Sequence, residues 1–207
     1  MTRPADETED IDLTPRGALR FFLTETEGYP AALLRILMGL LAIWKGYGNW
    51  INLDRFFTED GVLPWRHVQN SDHQIFSVLA LAPESRSFTL AVIAAHVLCG
   101  ITMVLGLLPR LSAFVVFACA VALMHRNPFI DNRGDHLFVL VIGLSALMPL
   151  GRVWSLQNLL GRGRRADAPL PTLWSQRLLA LQVSYIYLYA FGVKFHASGW
   201  HDGSAIY

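Results

Sequence analysis

The segment Leu111–Leu150, "LSAFVVFACAVALMHRNPFIDNRGDHLFVLVIGLSALMPL", decides the fold class. Its first and last parts are almost purely apolar. Between them stands "HRNPFIDNRGDH", residues 125–136, which holds two His, two Arg, two Asp and two Asn in twelve positions. A stretch this polar between two apolar blocks indicates either a wet loop at a membrane face or a chemical site.

The composition of the whole chain favours a membrane protein. Of its 207 residues, 53% are hydrophobic and 16% are charged, whereas an ordinary soluble domain carries about 25% charged residues. The apolar residues come in long blocks and lack the alternation of strands and the polar faces of amphipathic helices. The formal net charge of +1 gives no reason to expect a nucleic acid as partner.

Five apolar blocks follow one another along the chain. We predict an all-α, polytopic membrane helix bundle with about five spanning helices. The third and fourth blocks hold only about 14 residues, fewer than the roughly 17 to 25 expected of a spanning helix, so four spans is the alternative. The blocks are Pro30–Tyr47, Phe88–Leu108, Leu111–Met124, Leu137–Leu150 and Leu178–Val193.

The domain organisation follows from the same pattern. Residues 1–28 are predicted to form an acidic cytoplasmic arm with a short interfacial helix, in which Thr14 is the N-cap and Pro15 the first helical residue. The arm lacks the basic and apolar regions of a secretory signal. Residues 29–207 form the transmembrane domain. The basic cluster "GRGRR", residues 161–165, marks a cytoplasmic loop and puts the N-terminus in the cytoplasm.

Four ordered motifs carry a family resemblance. They are "LLRILMGLLAIW" with "FFTEDGVLP", "RNPFIDNRGD", "LMPLGRVWSL", and Lys194 ahead of "WHDGSAIY". Together they resemble the horizontally transferred transmembrane (HTTM) domain family, which includes the vitamin K-dependent gamma-carboxylases. The resemblance covers about Ala31 to Tyr207. Family members usually carry further membrane helices after the last motif, so the chain is expected to lack the C-terminal helices of the family.

The resemblance implies a helix bundle with a site near its outer face and, as cofactor, reduced vitamin K or menaquinol. In the carboxylases a lysine deprotonates the quinol and a histidine assists. Here the position of that histidine falls on Gly134, and His136 lies two residues later. The position of that lysine falls on Phe195, and Lys194 lies one residue earlier. One residue on a helix is about 100° of rotation, so the ammonium group of Lys194 would point elsewhere.

The candidate catalytic residues are Lys194 and Asp135. Lys194 acts either as a base in a poorly solvated site or as an anchor whose ammonium reaches the membrane interface. Asp135 either contacts a substrate or belongs to an ionic closure of the polar hairpin, in which Arg126 or Arg133 pairs with Asp131 or Asp135. No compact spacing of metal ligands occurs, so no metal site is expected. Residues expected to line a site for a substrate or cofactor are Arg126, Asn127, Asn132, His136, His96 and Trp200.

Three ionisable residues fall inside the predicted spans. His96 lies near the middle of the second block, where an ionisable side chain is a functional hypothesis, although a hydrogen bond to a neighbouring helix explains it equally well. Arg35 and Lys45 lie near opposite ends of the first block and can extend to the interfaces. Gly39, Gly46 and Gly48 on that block favour close helix contact.

Two functions fit these features. One is a quinol-linked enzyme that modifies peptides or lipids at the outer face of the membrane. The other is a non-catalytic membrane protein that assists the maturation or export of a peptide or toxin, or immunity to it. Both predict a multi-pass protein of the bacterial cytoplasmic (inner) membrane. The lipid bilayer is the expected partner, together with a peptide substrate or a quinol.

Overall fold

The computed structural model describes residues 14–25, 28–65, 67, 78–82, 85–127, 129–130, 132–161, 172–201 and 203–204. Regular structure in those ranges is helical, apart from an isolated antiparallel bridge between Glu25 and Thr172. The chain divides into two compact units. The larger is Glu27–Pro169, and the smaller combines Met1–Thr26 with Leu170–Tyr207. The prediction of an all-α fold is confirmed.

Four helices in the described part of the chain are long and apolar enough to cross a membrane. They are α2 (Tyr29–Ile51), α4 (Arg86–Leu105), α5 (Pro109–Arg126) and α8 (Trp174–His196). The chain is therefore a polytopic membrane helix bundle, as predicted. The shorter helices are α1 (Pro15–Leu23), α3 (Leu53–Phe56), α6 (Arg133–Ser145), α7 (Leu156–Leu159) and α9 (Ser198–His201), and Val78–Leu81 forms a 3-10 turn.

Local sequence signals set the ends of the helices in the larger unit. The Ser85 hydroxyl accepts a hydrogen bond of 3.2 Å from the backbone N–H of Phe88 and caps α4. Gly106, with φ of 72°, ends that helix in the left-handed region. Pro109 then opens α5, where its missing N–H costs nothing. At the start of α6, Asn132 and Asp135 form a capping box.

Glycines bring α2 and α4 into close contact. A Cβ atom at Gly39 would lie 2.7 Å from the Val104 side chain and 3.0 Å from the carbonyl oxygen of Gly100. A Cβ atom at Gly46 would also collide with α4. Small residues at these positions therefore let the two backbones approach, as predicted. At Gly48 no such contact is found, because a Cβ atom there would have no atom of the described residues within 4 Å.

The helix found in the fourth apolar block differs from the predicted span, Leu137–Leu150. α6 begins earlier, at Arg133, because Asn132 caps it there, and it ends at Ser145. In a continued helix the ring of Pro149 would meet the Ser145 carbonyl, so the helix stops. With 13 residues α6 rises about 20 Å, which is shorter than the apolar core of a bilayer at about 30 Å. In the described part of the chain four helices are therefore of spanning length, which is the alternative count that the sequence left open.

The chain after α6 nevertheless continues alongside α5. Midway along α6, a Cβ atom at Gly143 would lie 3.0 Å from the ring of Phe117 on α5. Farther on, Arg110 Nε donates a hydrogen bond of 2.9 Å to the Met148 carbonyl. Gly151 then packs on the side chain of Pro109, the first residue of α5. The segment 133–151 therefore runs along the whole of α5, partly as helix and partly as turn.

One end of the larger unit is closed around Arg35. The Arg35 side chain is 0% exposed. Its Nη1 donates to the Leu150 carbonyl at 3.0 Å, and its Nη2 donates to the Trp154 carbonyl at 2.6 Å. Gly106 lies so close that a Cβ atom there would be 2.5 Å from Nη1. The expectation that Arg35 extends to the interface is therefore wrong. These residues, Arg35, Gly106, Leu150 and Trp154, define the Arg35 end.

The smaller unit contains the predicted short N-terminal helix. The Thr14 hydroxyl accepts a hydrogen bond of 3.2 Å from the N–H of Gly17, and Pro15 is the first helical residue of α1, as expected. The guanidinium carbon of Arg177 on α8 lies 3.6 Å from the ring centre of Phe21 on α1. The backbone N–H of Leu173 donates to the Thr24 carbonyl at 2.8 Å. These contacts fix α1 against the start of α8.

Candidate functional site

A cavity of about 110 Å³ lies between α2, α4, α5 and α6, at the end of the larger unit that carries Lys45. Its polar lining comes from four helices or their ends. The cavity and its lining residues define the Lys45 end. The polar residues are Lys45, Asn49, His96, Asn127 and Asp135, and the apolar ones are Phe57, Ala120, Leu123, Met124, Ile130, Phe138 and Val139.

An ion pair joins α2 to α6 at this cavity. Lys45 Nζ contacts Asp135 Oδ1, with the two side chains 27% and 20% exposed. The Lys45 ammonium also lies 5.5 Å from the centre of the Phe138 ring, which favours a cation. The expectation that Lys45 reaches the interface alone is therefore replaced by a specific contact between helices. Asp135 pairs with a lysine 90 residues away.

The second carboxylate oxygen of Asp135 is held by the hairpin itself. Asp135 Oδ2 accepts hydrogen bonds from the backbone N–H of Asn132 at 3.2 Å and from its side-chain amide at 2.8 Å. Asn132 thus contributes by fixing Asp135. His136 is exposed on the first turn of α6, and its Nδ1 lies 3.1 Å from the Asn132 carbonyl. His136 does not line the cavity, to which α6 contributes Asp135, Phe138 and Val139.

His96 forms part of the cavity wall in the middle of α4. Its side chain is 1% exposed, and its ring centre lies 6.2 Å from that of Phe138. The backbone carbonyls of Ala42 and Val116 lie near the ring, but neither meets hydrogen-bond geometry with Nδ1 or Nε2. No other described residue does so either. A buried imidazole without a partner is costly, so this one is a candidate to bind a ligand.

Arg126 is buried at the end of α5 and binds the loop that follows α3. It is 1% exposed and donates to the Leu63 carbonyl at 3.1 Å. Its guanidinium carbon lies 5.3 Å from the ring centre of Trp65, and its Nη2 lies 3.6 Å from the Glu59 carboxylate. The predicted pair with Asp135 is therefore wrong. Arg126 instead binds the loop after α3. That loop lies at the end of α5 and offers two carbonyls and the Glu59 carboxylate to the guanidinium.

Asn127, in the polar hairpin, contacts both the end of α3 and the cavity. Its side-chain amide donates to the Phe56 carbonyl at 3.1 Å, and it is 2% exposed. It also lines the cavity. Asp131, the other acid considered for the ionic closure of the hairpin, lies outside the described residues.

A family model described as the HTTM domain matches residues 25–207. The chain belongs to the HTTM domain family. No curated protein and no solved structure matches it. The match covers the larger unit, the part of the smaller unit from residue 25 onward, and all four helices of spanning length. This HTTM protein is therefore an integral, multi-pass membrane protein.

The last HTTM motif lies in the smaller unit. There the ammonium of Lys194, at the end of α8, lies 4.5 Å from the centre of the Trp200 ring on α9. Both side chains are exposed. His201 Nε2 lies 2.6 Å from the Phe195 carbonyl and helps to fold α9 back on α8. Within this unit, Lys194 and Trp200 form a cation–π pair, which holds the tail motif together.

Sequence reasoning missed Lys45 and Asn49 as site residues. Both lie in "WKGYGNW", residues 44–50, where polar and small residues end an otherwise apolar helix. That change of composition was the available signal, and we interpreted it as the approach to the interface. Among the described residues, no group of three or more His, Cys, Asp or Glu side chains is placed to hold a metal ion.

The arrangement combines three chemical capacities in one small space. The imidazole of His96 can accept or donate a hydrogen bond, depending on its tautomer. Lys45 offers a cation with three donors, and Asp135 holds that cation in place. Phe57, Leu123 and Phe138 supply apolar walls. A mostly apolar lining with a few convergent polar groups is typical of small-molecule sites, although the cavity of about 110 Å³ is smaller than their usual volume of about 300 to 1,000 Å³.

Proposed function

We propose that this HTTM protein binds a quinol at the Lys45 end and acts as a quinol-linked modifier of a peptide or lipid. The observation that carries the proposal is the cavity, in which the buried His96 and the Lys45–Asp135 pair meet apolar walls. The lining combines five polar side chains with seven apolar ones, a mixture that suits a flat ring with hydroxyl groups.

The lining residues fit the polar ring of a quinol. The side chains of Phe57, Leu123 and Phe138 would hold the ring, and His96 and Lys45 would hold its oxygen atoms. Asp135 would keep Lys45 oriented through their ion pair. When bound, a reduced quinol supplies electrons and, with oxygen, a strong base. The residues of the chain would orient the ring, exclude water and manage the proton of its hydroxyl group.

We further propose that the Lys45 end faces the outside of the bacterial cytoplasmic membrane. The basic cluster "GRGRR", residues 161–165, supports this orientation because lysine and arginine are retained on the cytoplasmic side. Reporter fusions after Gly163 should be active in the cytoplasm, and fusions in the 125–136 hairpin should be active outside. The opposite pattern would overturn the orientation.

Binding to the cavity can be tested with a pair of matched variants on α6. Val139 lines the cavity, whereas Leu137 is exposed two residues earlier. Wild type in nanodiscs should bind menaquinol with one-to-one saturation in an anaerobic titration. Val139→Trp should weaken binding at least about tenfold, roughly 1.4 kcal/mol, because the indole fills the cavity. Leu137→Trp should bind normally. Absence of saturable binding to wild type, or equal binding by both variants, contradicts the site.

The second candidate function is a non-catalytic protein that assists the maturation or export of a peptide or toxin, or immunity to it. It is favoured by the engagement of both candidate catalytic groups. Asp135 is held by Lys45 and Asn132, and Lys194 is stacked on Trp200. Either candidate would use a peptide as partner within the bilayer.

Oxidation of menaquinol by proteoliposomes in the presence of oxygen separates the two functions. An enzyme should raise the rate above that of empty liposomes, and a non-catalytic protein should leave it unchanged. If Lys194 is the base, Lys194→Arg should remove the acceleration, because arginine does not release its proton near neutral pH. If Lys194 only stacks on Trp200, the arginine variant should keep the rate, since its guanidinium also stacks on an aromatic ring.

A further inference from the structure

We propose that the junction of α1 and α8 binds the headgroup of an anionic phospholipid, with the phosphate at the first turn of α8. This site lies in the smaller unit and is independent of the cavity at the Lys45 end. Three features of the junction support it. They are arginines without a carboxylate, buried polar groups without a hydrogen-bond partner, and an exposed apolar side of α1.

Arginine side chains from both helices meet at this junction. The guanidinium carbon of Arg177 lies 3.6 Å from the ring centre of Phe21, and its Nη1 lies 3.4 Å from the Thr24 hydroxyl. Arg20 lies four residues before Thr24 and therefore on the same side of α1. No described carboxylate pairs with either arginine, and Glu25, the described acid nearest to Arg20 in sequence, is exposed. The junction thus carries positive charge that the described residues do not balance.

The first turn of α8 favours an anion. Arg177 is the fourth residue of the helix, and the first turn contains no Asp or Glu. The positive end of a helix dipole favours an acid and disfavours a cation. No side chain of a described residue caps the helix at Leu173 either. The backbone N–H groups of this turn and the guanidinium group would therefore both be stabilised by a phosphate.

Two polar side chains in the same turn lack a hydrogen-bond partner. Ser175 is 1% exposed, and its hydroxyl group has no partner among the described residues. The side-chain nitrogen of the next residue, Gln176, is buried and has no described partner either. Buried polar groups are normally hydrogen-bonded, so these two need an explanation. A phosphate at this helix end would lie near both groups and near Arg177, and its oxygens accept hydrogen bonds from all three.

The exposed side of α1 indicates that the phosphate belongs to a lipid. Leu19 and Leu23 are four residues apart, and both are exposed. α8 is long and apolar enough to span a membrane, and its first residue, Trp174, is of a type enriched at the headgroups. The backbone N–H of Leu173 donates to the Thr24 carbonyl at 2.8 Å, which holds α1 at the same depth. There its leucines would contact acyl chains and its arginines would contact phosphates.

The test is a lipid titration of the full chain in detergent, with bound lipids counted by native mass spectrometry. Wild type should bind one dioleoyl phosphatidylglycerol at least about tenfold more tightly than dioleoyl phosphatidylcholine, roughly 1.4 kcal/mol. The reason is that choline balances the phosphate charge within the lipid itself. Arg177→Gln should lose this preference. Arg55→Gln is the matched control and should keep it, because Arg55 also lies near a phenylalanine ring, that of Phe56 at 5.1 Å, but in the larger unit.

Ser175→Ala separates a ligand-binding group from a structural one. The hydroxyl group has no described partner in the protein itself, so the variant should keep the melting temperature of wild type in the absence of added lipid. It should bind phosphatidylglycerol about threefold more weakly, about 0.7 kcal/mol. A lower melting temperature without lipid, or unchanged lipid binding, would overturn the contact between the phosphate and this turn.

The remaining outcomes decide the site as a whole. Equal affinity of wild type for the two lipids, or equal losses in Arg177→Gln and Arg55→Gln, would show that the junction does not recognise the headgroup. Displacement of the lipid by an excess of inorganic phosphate would show that the ligand is a free anion instead of a lipid. Should Arg177→Gln not fold, Arg20→Gln takes its place, because Arg20 is exposed and makes no described side-chain contact that its loss would break.

Discussion

Helix α2 carries a buried or partly buried cation near each end, and the two ends treat it differently. Arg35 and Lys45 are separated by ten residues, or about 15 Å along the helix. Arg35 is 0% exposed and donates to two backbone carbonyls. Lys45 is paired with a carboxylate beside a cavity. The Arg35 end is packed shut, whereas the Lys45 end leaves room for a ligand.

The difference teaches which polar groups in a membrane bundle hold structure and which are available for chemistry. A guanidinium is planar and carries several N–H donors, so it can bind backbone carbonyls that have no partner within a helix. In binding both carbonyls, Arg35 becomes 0% exposed. An ammonium on a flexible stem makes one point contact with Asp135. The Lys45–Asp135 pair leaves a cavity beside it, and His96 on the neighbouring α4 lines that cavity.

The largest effect is expected from removing the cation of the closed end. Arg35→Met should lower the free energy of unfolding by about 3 kcal/mol, since two hydrogen bonds to a charged donor are lost and the Leu150 and Trp154 carbonyls stay buried. Thermal unfolding in detergent measures this change. Arg110→Met is the matched control, because Arg110 is exposed and makes one such bond, to Met148. Equal losses would show that burial at Arg35 is unimportant.

A smaller loss of stability is expected from a change at the close contact between α2 and α4, which lies between the Arg35 end and the Lys45 end. Gly39→Val should lower the free energy of unfolding by about 2 kcal/mol, because its side chain would meet Val104 and the backbone of Gly100. Gly48→Val, on the same helix, has open space around it and should be nearly neutral. Similar melting temperatures for the two variants would argue against the close approach of the helices.

The Lys45–Asp135 pair should show a coupling of about 1 kcal/mol in a double-mutant cycle. The variants Lys45→Gln, Asp135→Asn and their combination retain the approximate shapes of the side chains. The coupling exceeds that of a surface pair because both groups are more than two-thirds buried. A second cycle with Arg126→Gln and Asp135→Asn should give none, since Arg126 binds the loop after α3. Coupling in the second cycle instead of the first would restore the pairing expected from the sequence.

The smallest effect concerns an exposed ion pair outside the cavity, between Asp54 and Arg86. Its hydrogen bond lowers the pKa of Asp54 below the ordinary value of about 3.9. A lowered pKa in the folded state means that the stabilisation is complete above the unfolded pKa and is lost as the pH falls through the folded one. Asp54→Asn should therefore change the melting temperature little, and equally at pH 5 and pH 8. A difference that grows between these two values would contradict this origin.

The sequence predicted the spanning helices well because hydropathy alone determines them. The block Leu111–Met124 lies inside α5, Pro109–Arg126, and the block Leu178–Val193 lies inside α8, Trp174–His196. Thr14 was identified as the cap of α1 because its signal is local. The failure at α6 was also local in origin. The apolar block continues to Leu150, but the helix ends at Ser145, because the ring of Pro149 would collide with the carbonyl four residues earlier.

The partners of the charged residues could not be predicted in the same way. Arg126 and Asp135 are close in sequence, so pairing them was the simplest interpretation. Their actual partners, the Leu63 carbonyl and Lys45, lie 63 and 90 residues away. Hydropathy and spacing carry no information on which helix faces which. His96 and Asp135 were both proposed as site residues, but their shared cavity depends on the packing of α4 against α2 and α6.

The hydrogen bonds of Arg35 have a consequence for how the protein is made. The carbonyls that it binds lie 115 and 119 residues later in the chain. During synthesis α2 therefore leaves the ribosome before the two acceptors of its guanidinium have been made, and placing an unpaired charge in a bilayer is costly. We expect α2 to stay shallow, with Arg35 at the headgroups, until Trp154 has been added. Insertion of the larger unit would then be completed late, when the turn between α6 and α7 supplies the carbonyls of Leu150 and Trp154.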